Sequence, residues 1–250
     1  MDDDDLLAVL DRTAAVIKTA VALVEDWRPM TEKPTQYAID VVADGPAIEV
    51  LTGAGLGVLS EESGLHDPDR ELVVVMDPID GSTNASRGIP WYATSLAAVD
   101  DKGVRAALVV NQATGERFEA LRGAGARHDG RAVRVAPATD ISSSLVVLCG
   151  IPRTHPWRQG RVMGAAALDL CSVACGRFDG YLDNTAGIHG PWDYLGGLLV
   201  ITEAGGVIED FDGRELVHLE PGERRGPIAA STPDLLEQLR TVRSAERAVS

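Results

Sequence analysis

The chain has 250 residues, 45% of them apolar, enough for one large core or two small ones packed together, so disorder is not the default. It carries 38 acidic against 23 basic residues, a formal charge of −15, and only 4% aromatics. Such a surface repels nucleic acid and anionic membranes and offers few rings for stacking on bases. A small anionic ligand binds it only where cations or amides overcome the field.

The opening "MDDDDLLAVLDR" has neither the basic start nor the long apolar run of a secretory leader. No stretch reaches the ~18 apolar residues of a membrane span, and a soluble, cytoplasmic protein is expected. The acidic run suits the first turn of a helix. Three cysteines, Cys149, Cys171 and Cys175, suggest no disulfide framework. Cys171 and Cys175, four apart in a helix-like run, read as small buried apolar residues.

Residues 6–27 have helical apolar spacing without Gly or Pro and predict a helix. "AIDVVADGPAIEVLTGAG" predicts a second helix, interrupted near Gly45-Pro46. "GVLSEESG" reads as a short strand and turn, and "ELVVVMDPI" as a buried strand. Residues 93–135 read as antiparallel strands with turns at "DDKG", "QATG" and "HDGR". A strand "LVVLCG", a helix "AAALDLCSVACG" and a short strand "FDGYLDN" follow. Next come an apolar helix "WDYLGGLLVITEAGG", a strand "VIEDFDG" and a terminal amphipathic helix behind Thr232-Pro233. The order predicts layered α/β packing in two sub-domains, 1–135 and 136–250, joined as one unit.

The strand "ELVVV" runs straight into "MDPIDGSTN". Asp, Pro, Gly, Ser and Asn are ordinary turn residues, and this stretch alone leaves a plain turn open. Ending a buried strand in two aspartates is nonetheless costly unless their charges are compensated. In D-P-I-D, Asp77, the carbonyl of Ile79 and Asp80 can converge on a hard cation such as Mg²⁺. Gly81 permits close approach, and Ser82, Thr83 and Asn84 can open a short helix whose amides hold a phosphate. Glu61 and Glu62 in "LSEESG" and Asp193 in "PWDYLGG" are further oxygen ligands.

Together "LSEES", "DPIDGSTN" and "WDYLGGLLVITEAGG", in this order, resemble the inositol monophosphatase family of metal-dependent phosphatases; the likeness spans about residues 33 to 208. It implies an α/β (α+β) fold, the layered αβαβα sandwich of inositol monophosphatases and fructose-1,6-bisphosphatases, and usually a homodimer. It implies two or three Mg²⁺ ions. One would lie on Glu61, Asp77 and the Ile79 carbonyl, another on Asp77, Asp80 and Asp193, with Glu62 an outer group or a ligand of a third ion. The amides of Gly81 and Ser82 would bind phosphate. Asp44, eleven residues after Lys33 as the family's acid is, would position the attacking water with the Ser82 hydroxyl. The resemblance thus implies hydrolysis of a phosphate ester by metal-activated water, with no protein nucleophile.

Ser82 stands where the family more usually has Thr, and Ala85 where an aromatic often follows Asn. Asp183 matches an acid that contacts substrate hydroxyls, but more residues than usual separate it from "WD", so the 184–191 loop is altered. His189 in that loop is either solvated or a substrate contact. Arg153, His155 and Arg158 either face an anionic substrate or pair with local acids. Selectivity lies in such loops, not in the metal motifs. A small sugar or cyclitol phosphate is the first expectation. Fructose-1,6-bisphosphate, histidinol phosphate and nucleotide 3′-phosphates are alternatives, and a non-catalytic phosphate- or metal-binding relative is another. No nucleic-acid or membrane partner is expected.

Overall fold

The computed structural model describes residues 1–32 and 36–247. Two helices, α1 (Asp3–Val21) and α2 (Ala38–Gly53), precede β1 (Gly57–Ser60), β2 (Gly64–His66), β3 (Val73–Asp80) and a short α3 (Ser82–Ser86). Then come β4 (Ala93–Asp100), β5 (Gly103–Asn111), β6 (Arg117–Leu121), β7 (Gly125–His128) and β8 (Arg131–Ala132). The second part contains β9 (Leu145–Cys149), β10 (Gln159–Arg161), α4 (Ala166–Ala174), β11 (Gly180–Asp183), α5 (Pro191–Glu203), β12 (Val207–Asp210), β13 (Pro227–Ala230) and α6 (Pro233–Arg247). The first sheet runs β2-β1-β3-β4-β5-β6-β7-β8 and the second β10-β9-β11-β13-β12.

Period-two alternation along the strands sorts the side chains into three cores. From the first sheet, Val58, Val74, Met76, Ala98 and Leu108 pack under α1 and α2. Their neighbours Leu59, Val73, Val75, Ala97 and Val109 face α4 and α5 on the other side. In the second sheet, Val147, Tyr181 and Ala229 face the same two helices, whereas Val146, Leu182 and Ile228 pack against Leu235 and Leu239 of α6. The layers are therefore helices, sheet, helices, sheet, helix, the expected αβαβα sandwich. The strands of the first sheet all precede residue 133 and those of the second all follow 144, while α5 packs between the two sheets. Among the described residues, no helix is long and apolar enough to cross a membrane.

Some local expectations change. α1 starts where Asp2 accepts the Asp5 amide at 2.8 Å, but it stops at Val21, not at Trp27. The apolar pattern runs on past the buried face, leaving Leu23 82% exposed. α2 is not interrupted. Pro46 lies inside a continuous helix whose Ile39, Ala43, Ala47 and Leu51 are buried. An interior proline costs about 3 kcal/mol, and burying this face is worth more, at roughly 1.5–3 kcal/mol for each large side chain. β3 runs into the motif as "ELVVVMDPI" predicts and ends one residue later, at Asp80, with an irregularity between Asp77 and Asp80. β10 and β13 were not legible. "PIAA" is a fully buried strand of four residues with no polar alternation to mark it.

Candidate active site

The irregular end of β3 is held from several sides. Asp77 Oδ1 accepts the Ile79 amide at 2.8 Å, and the Pro78 carbonyl accepts the Thr94 hydroxyl at 2.8 Å. Asp80 accepts the amides of Ala166 at 3.3 Å and Ala167 at 2.7 Å, from the first turn of α4. Gly81 follows at φ +88°, and a Cβ there would lie 3.1 Å from the Gly164 and Trp91 carbonyls and the Ala165 side chain, so only glycine fits. The Ser82 hydroxyl donates to the Ile79 carbonyl at 3.0 Å, while the Asn84 amide donates to the carbonyls of Trp91 and Met163 at 2.8 Å each. These bonds tie the loop to β4, to the start of α4 and to the segments around Trp91 and Met163.

Other elements bring further acids to this loop. β1 pairs in parallel with β3, Ser60 beside Met76, and the Glu61 amide donates to the Met76 carbonyl at 3.1 Å. Asp193 stands in the first turn of α5, where its Oδ2 accepts the Gly190 amide at 2.7 Å. Asp40 is held in the same way at the start of α2, accepting the Tyr37 amide at 2.9 Å. Pro191 suits the first position of α5, where its missing N–H loses no bond.

Carboxylate oxygens of Glu61, Asp77 and Asp193 lie within 4.8 Å of one another. Asp77 and Asp80 are buried, at 2% and 6% exposure. Burial first, and then the neighbouring acids, hold Asp77 and Asp80 well above the usual carboxylate range. Although Glu61 is exposed as a residue, loss of solvent at its carboxyl, followed by Asp193, pushes it up to about 8. Carboxylates gathered this closely hold protons unless a cation replaces them. An all-oxygen donor set of this kind fits Mg²⁺. A cleft of about 270 Å³ opens here, lined by Asp40, Glu61, Glu62, Ser82, Trp192 and Arg224 among others.

Residues 52–247 match the sequence pattern described as "Inositol monophosphatase family". The chain belongs to the inositol monophosphatase family. A "Fructose-1,6-bisphosphatase/inositol-1-monophosphatase" of Archaeoglobus fulgidus is 31% identical over 96% of this chain and 100% of its own length. A "Nus factor SuhB" of Xylella fastidiosa is 34% identical over 74% of this chain and 72% of its own. Among solved structures, an "Extragenic suppressor from Pyrococcus furiosus" superposes with a TM-score of 0.83 at 26% identity, covering 95% of this chain and 100% of that one.

Membership in the inositol monophosphatase family does not place every expected residue at the cleft. Glu61, Asp77 and Asp193 come together, and Glu61 and Ser82 line the cleft, with Glu62 at its wall beside Gln36, which donates to its carboxylate; Ile79, Asp80 and Gly81 follow Asp77 in the chain but are not among the residues that line the cleft. Asp44 is not among the residues that line the cleft. It is buried one turn further along α2, where its carboxylate accepts the Ser60 hydroxyl. Asp40 takes the cleft position instead, with its Oδ1 buried and without a partner. Burial pushes Asp40 up to about 7, against the Tyr37 amide that holds its other oxygen. Lys33 lies outside the described residues. Sequence reasoning also missed Arg224, whose guanidinium stacks 5.1 Å over the Trp192 ring; the pair "RR" in "GERRG" was the available signal.

His189 is not a solvated loop residue. It is 7% exposed, and its backbone bridges to Arg225. Its Nε2 lies 3.0 Å from the Tyr181 hydroxyl, and its Nδ1 lies 3.5 Å from Asp193 Oδ2. Burial pulls His189 down, but Asp193 and Cys149 outweigh it and hold the imidazole well above its usual range. Asp183 is fully buried, its Oδ1 taken by the amide and hydroxyl of Thr185. Arg153, His155 and Arg158 do not line the cleft. The amides of Arg153 and Thr154 bind Glu246 of α6, and His155 packs edge-on to Trp157.

Proposed function

We propose that this protein is a Mg²⁺-dependent phosphomonoesterase acting on a small sugar or cyclitol phosphate. The observation that carries this reading is the convergence of Glu61, Asp77 and Asp193 within 4.8 Å, beside the Gly81–Ser82 backbone. Glu61, Asp77, the Ile79 carbonyl, Asp80 and Asp193 would hold the metal. Bound there, magnesium would supply positive charge against the phosphate and lower the pKa of coordinated water. The amides of Gly81 and Ser82 bind the phosphate oxygens. Asp40 Oδ1, the partnerless acceptor, takes the proton of the attacking water, and the Ser82 hydroxyl beside it orients that water. Glu62 supports the wall through Gln36. Asp183 and His189 are not among the residues that line this cleft. A cytoplasmic homodimer is the accompanying expectation.

A bisphosphate substrate is the second reading. Arg224 offers a cation at the cleft wall, and the Archaeoglobus relative carries both enzyme names. Phosphate release from a panel of monoesters and bisphosphates, with Mg²⁺ or chelator, tests both. Glu61→Gln is the companion variant, because it removes a charge at an exposed position. Turnover that needs Mg²⁺ and falls at least ~100-fold in the variant is expected. Chelator-resistant turnover, or a variant as active as the parent, would reject the assignment. No release from any ester would favour a binding role, as the relative named a Nus factor suggests.

A further inference from the structure

Behind the carboxylate cluster lies a second, chemically different group of side chains. Cys149 ends β9 and Asp183 ends β11; the two strands are parallel and these residues are register partners. Both therefore share the sheet face of Val147 and Tyr181, which looks toward α4 and α5. The bridge between His189 and Arg225 brings the imidazole over this edge. One ligand atom from each of Cys149, Asp183 and His189 lies within 4.8 Å of the others. Cys149 and His189 line a cavity of about 160 Å³ together with Asp80, Asp169 and Tyr181, while Asp183 reaches the group from outside that lining.

Two features separate this group from a chance cluster. Asp183 is fully buried, yet its Oδ2 has no hydrogen-bond partner and points at His189 Nε2, 3.8 Å away. Only the imidazole faces this buried oxygen, at ion-pair distance and without a hydrogen bond, and a bound metal ion would satisfy it directly. The imidazole is also held as a metal ligand is held. Nε2 lies 3.8 Å from the free oxygen and 3.0 Å from the Tyr181 hydroxyl, a contact a metal ion would replace, while Nδ1 faces the Asp193 carboxylate at 3.5 Å; a carboxylate on the far nitrogen orients a ligating histidine and raises its basicity.

We propose that Cys149, Asp183 and His189 form a site for a borderline divalent cation, zinc in particular, distinct from the carboxylate centre. Sulfur, nitrogen and oxygen donors suit zinc and not Mg²⁺, which prefers oxygen alone. Three protein ligands leave a fourth position open to water from the cavity. Ligand bonds of about 2.0–2.3 Å require the three groups to close in by roughly 1 Å, and the zinc displaces the thiol and imidazole protons as it binds. The site stands whether or not the protein is a phosphatase.

The test uses the full chain with Mg²⁺ in excess, so that the carboxylate centre is filled. Zinc is titrated against a chromophoric chelator, and Co²⁺ serves as its coloured substitute. One zinc per chain and a thiolate-to-cobalt charge-transfer band are expected. Cys149→Ala should abolish the band and weaken zinc binding by more than about 100-fold, with Asp183→Asn at least ~10-fold weaker. Cys175→Ala, which is outside the group, should bind as the parent does. Cys149→Ser reads the same quantity should the alanine variant fail to fold, and thermal melts check both. Absence of the band in the parent, or parent-like zinc affinity without the thiol, overturns the proposal.

Discussion

Asp40 and Asp44 stand one turn apart on the same buried face of α2, yet they do different work. Asp44 accepts the Ser60 hydroxyl and so braces the residue before Glu61. Asp40 faces the cleft with an unused oxygen. Asp40→Asn is expected to lower kcat by roughly 100-fold or more, the ordinary worth of a positioned base, with the melting temperature kept. Asp44→Ala is expected to do the reverse. It should cost about 1–3 kcal/mol through the lost buried hydrogen bond and leave kcat within a few-fold. Steady-state kinetics beside thermal melts of both variants separate the roles. Spacing along a helix cannot choose between residues four apart, because both lie on one face. The choice depends on how far along α2 the cleft opens.

Among the elements, α5 is the one that must approach two neighbours at once. It lies between the sheets, with Asp193 in its first turn. A Cβ at Gly196 would sit 2.8 Å from Ser95 Oγ, and one at Gly197 would sit 2.6 Å from Leu170 Cβ on α4. The paired glycines therefore let the helix touch the first sheet on one side and α4 on the other, fixing Asp193 relative to Asp80, which α4 also holds. Gly197→Ala is expected to destabilise the fold by about 1–3 kcal/mol even though alanine is the better helix former, because overpacking outweighs the ~1 kcal/mol of helix propensity. A denaturant titration measures this; unchanged or raised stability would mean that α4 can move aside.

At the scale of the whole molecule, the acidic balance meets a buried acid. Asp169 on α4 accepts the Trp91 Nε1–H at 2.8 Å, and burial pushes it up to about 7 from an unfolded value of 3.8. Between those values the folded state keeps a proton that the unfolded chain has released. Stability is therefore fully present below pH ~4 on this account and is lost as the pH rises to about 7. His189, whose folded value is raised, acts in the same direction above about 6.5. Asp169→Asn keeps an acceptor for Trp91 and carries no charge. With Mg²⁺ saturating, its melting temperature should fall less than the parent's between pH 5 and pH 7. Equal slopes in the two proteins would show that Asp169 does not control the dependence.

By itself the sequence determined the layered α/β class, because period-two and period-3.6 patterns are local and survive without knowledge of neighbours. It also singled out "DPIDGSTN" as the candidate site, because an apolar strand driven into two aspartates demands compensation wherever the chain folds. Family membership followed from motif order, which is again a property of the chain alone. Tertiary structure decided what depends on proximity between distant segments. It put Asp40 and not Asp44 in the lining of the cleft, carried α2 through Pro46 because its buried face outweighs the proline, and drew Arg224 to Trp192. It also turned His189 inward, since the partners that hold it, Tyr181, Asp193 and the Arg225 backbone, come from two strands' ends and a helix start that only the sandwich brings together.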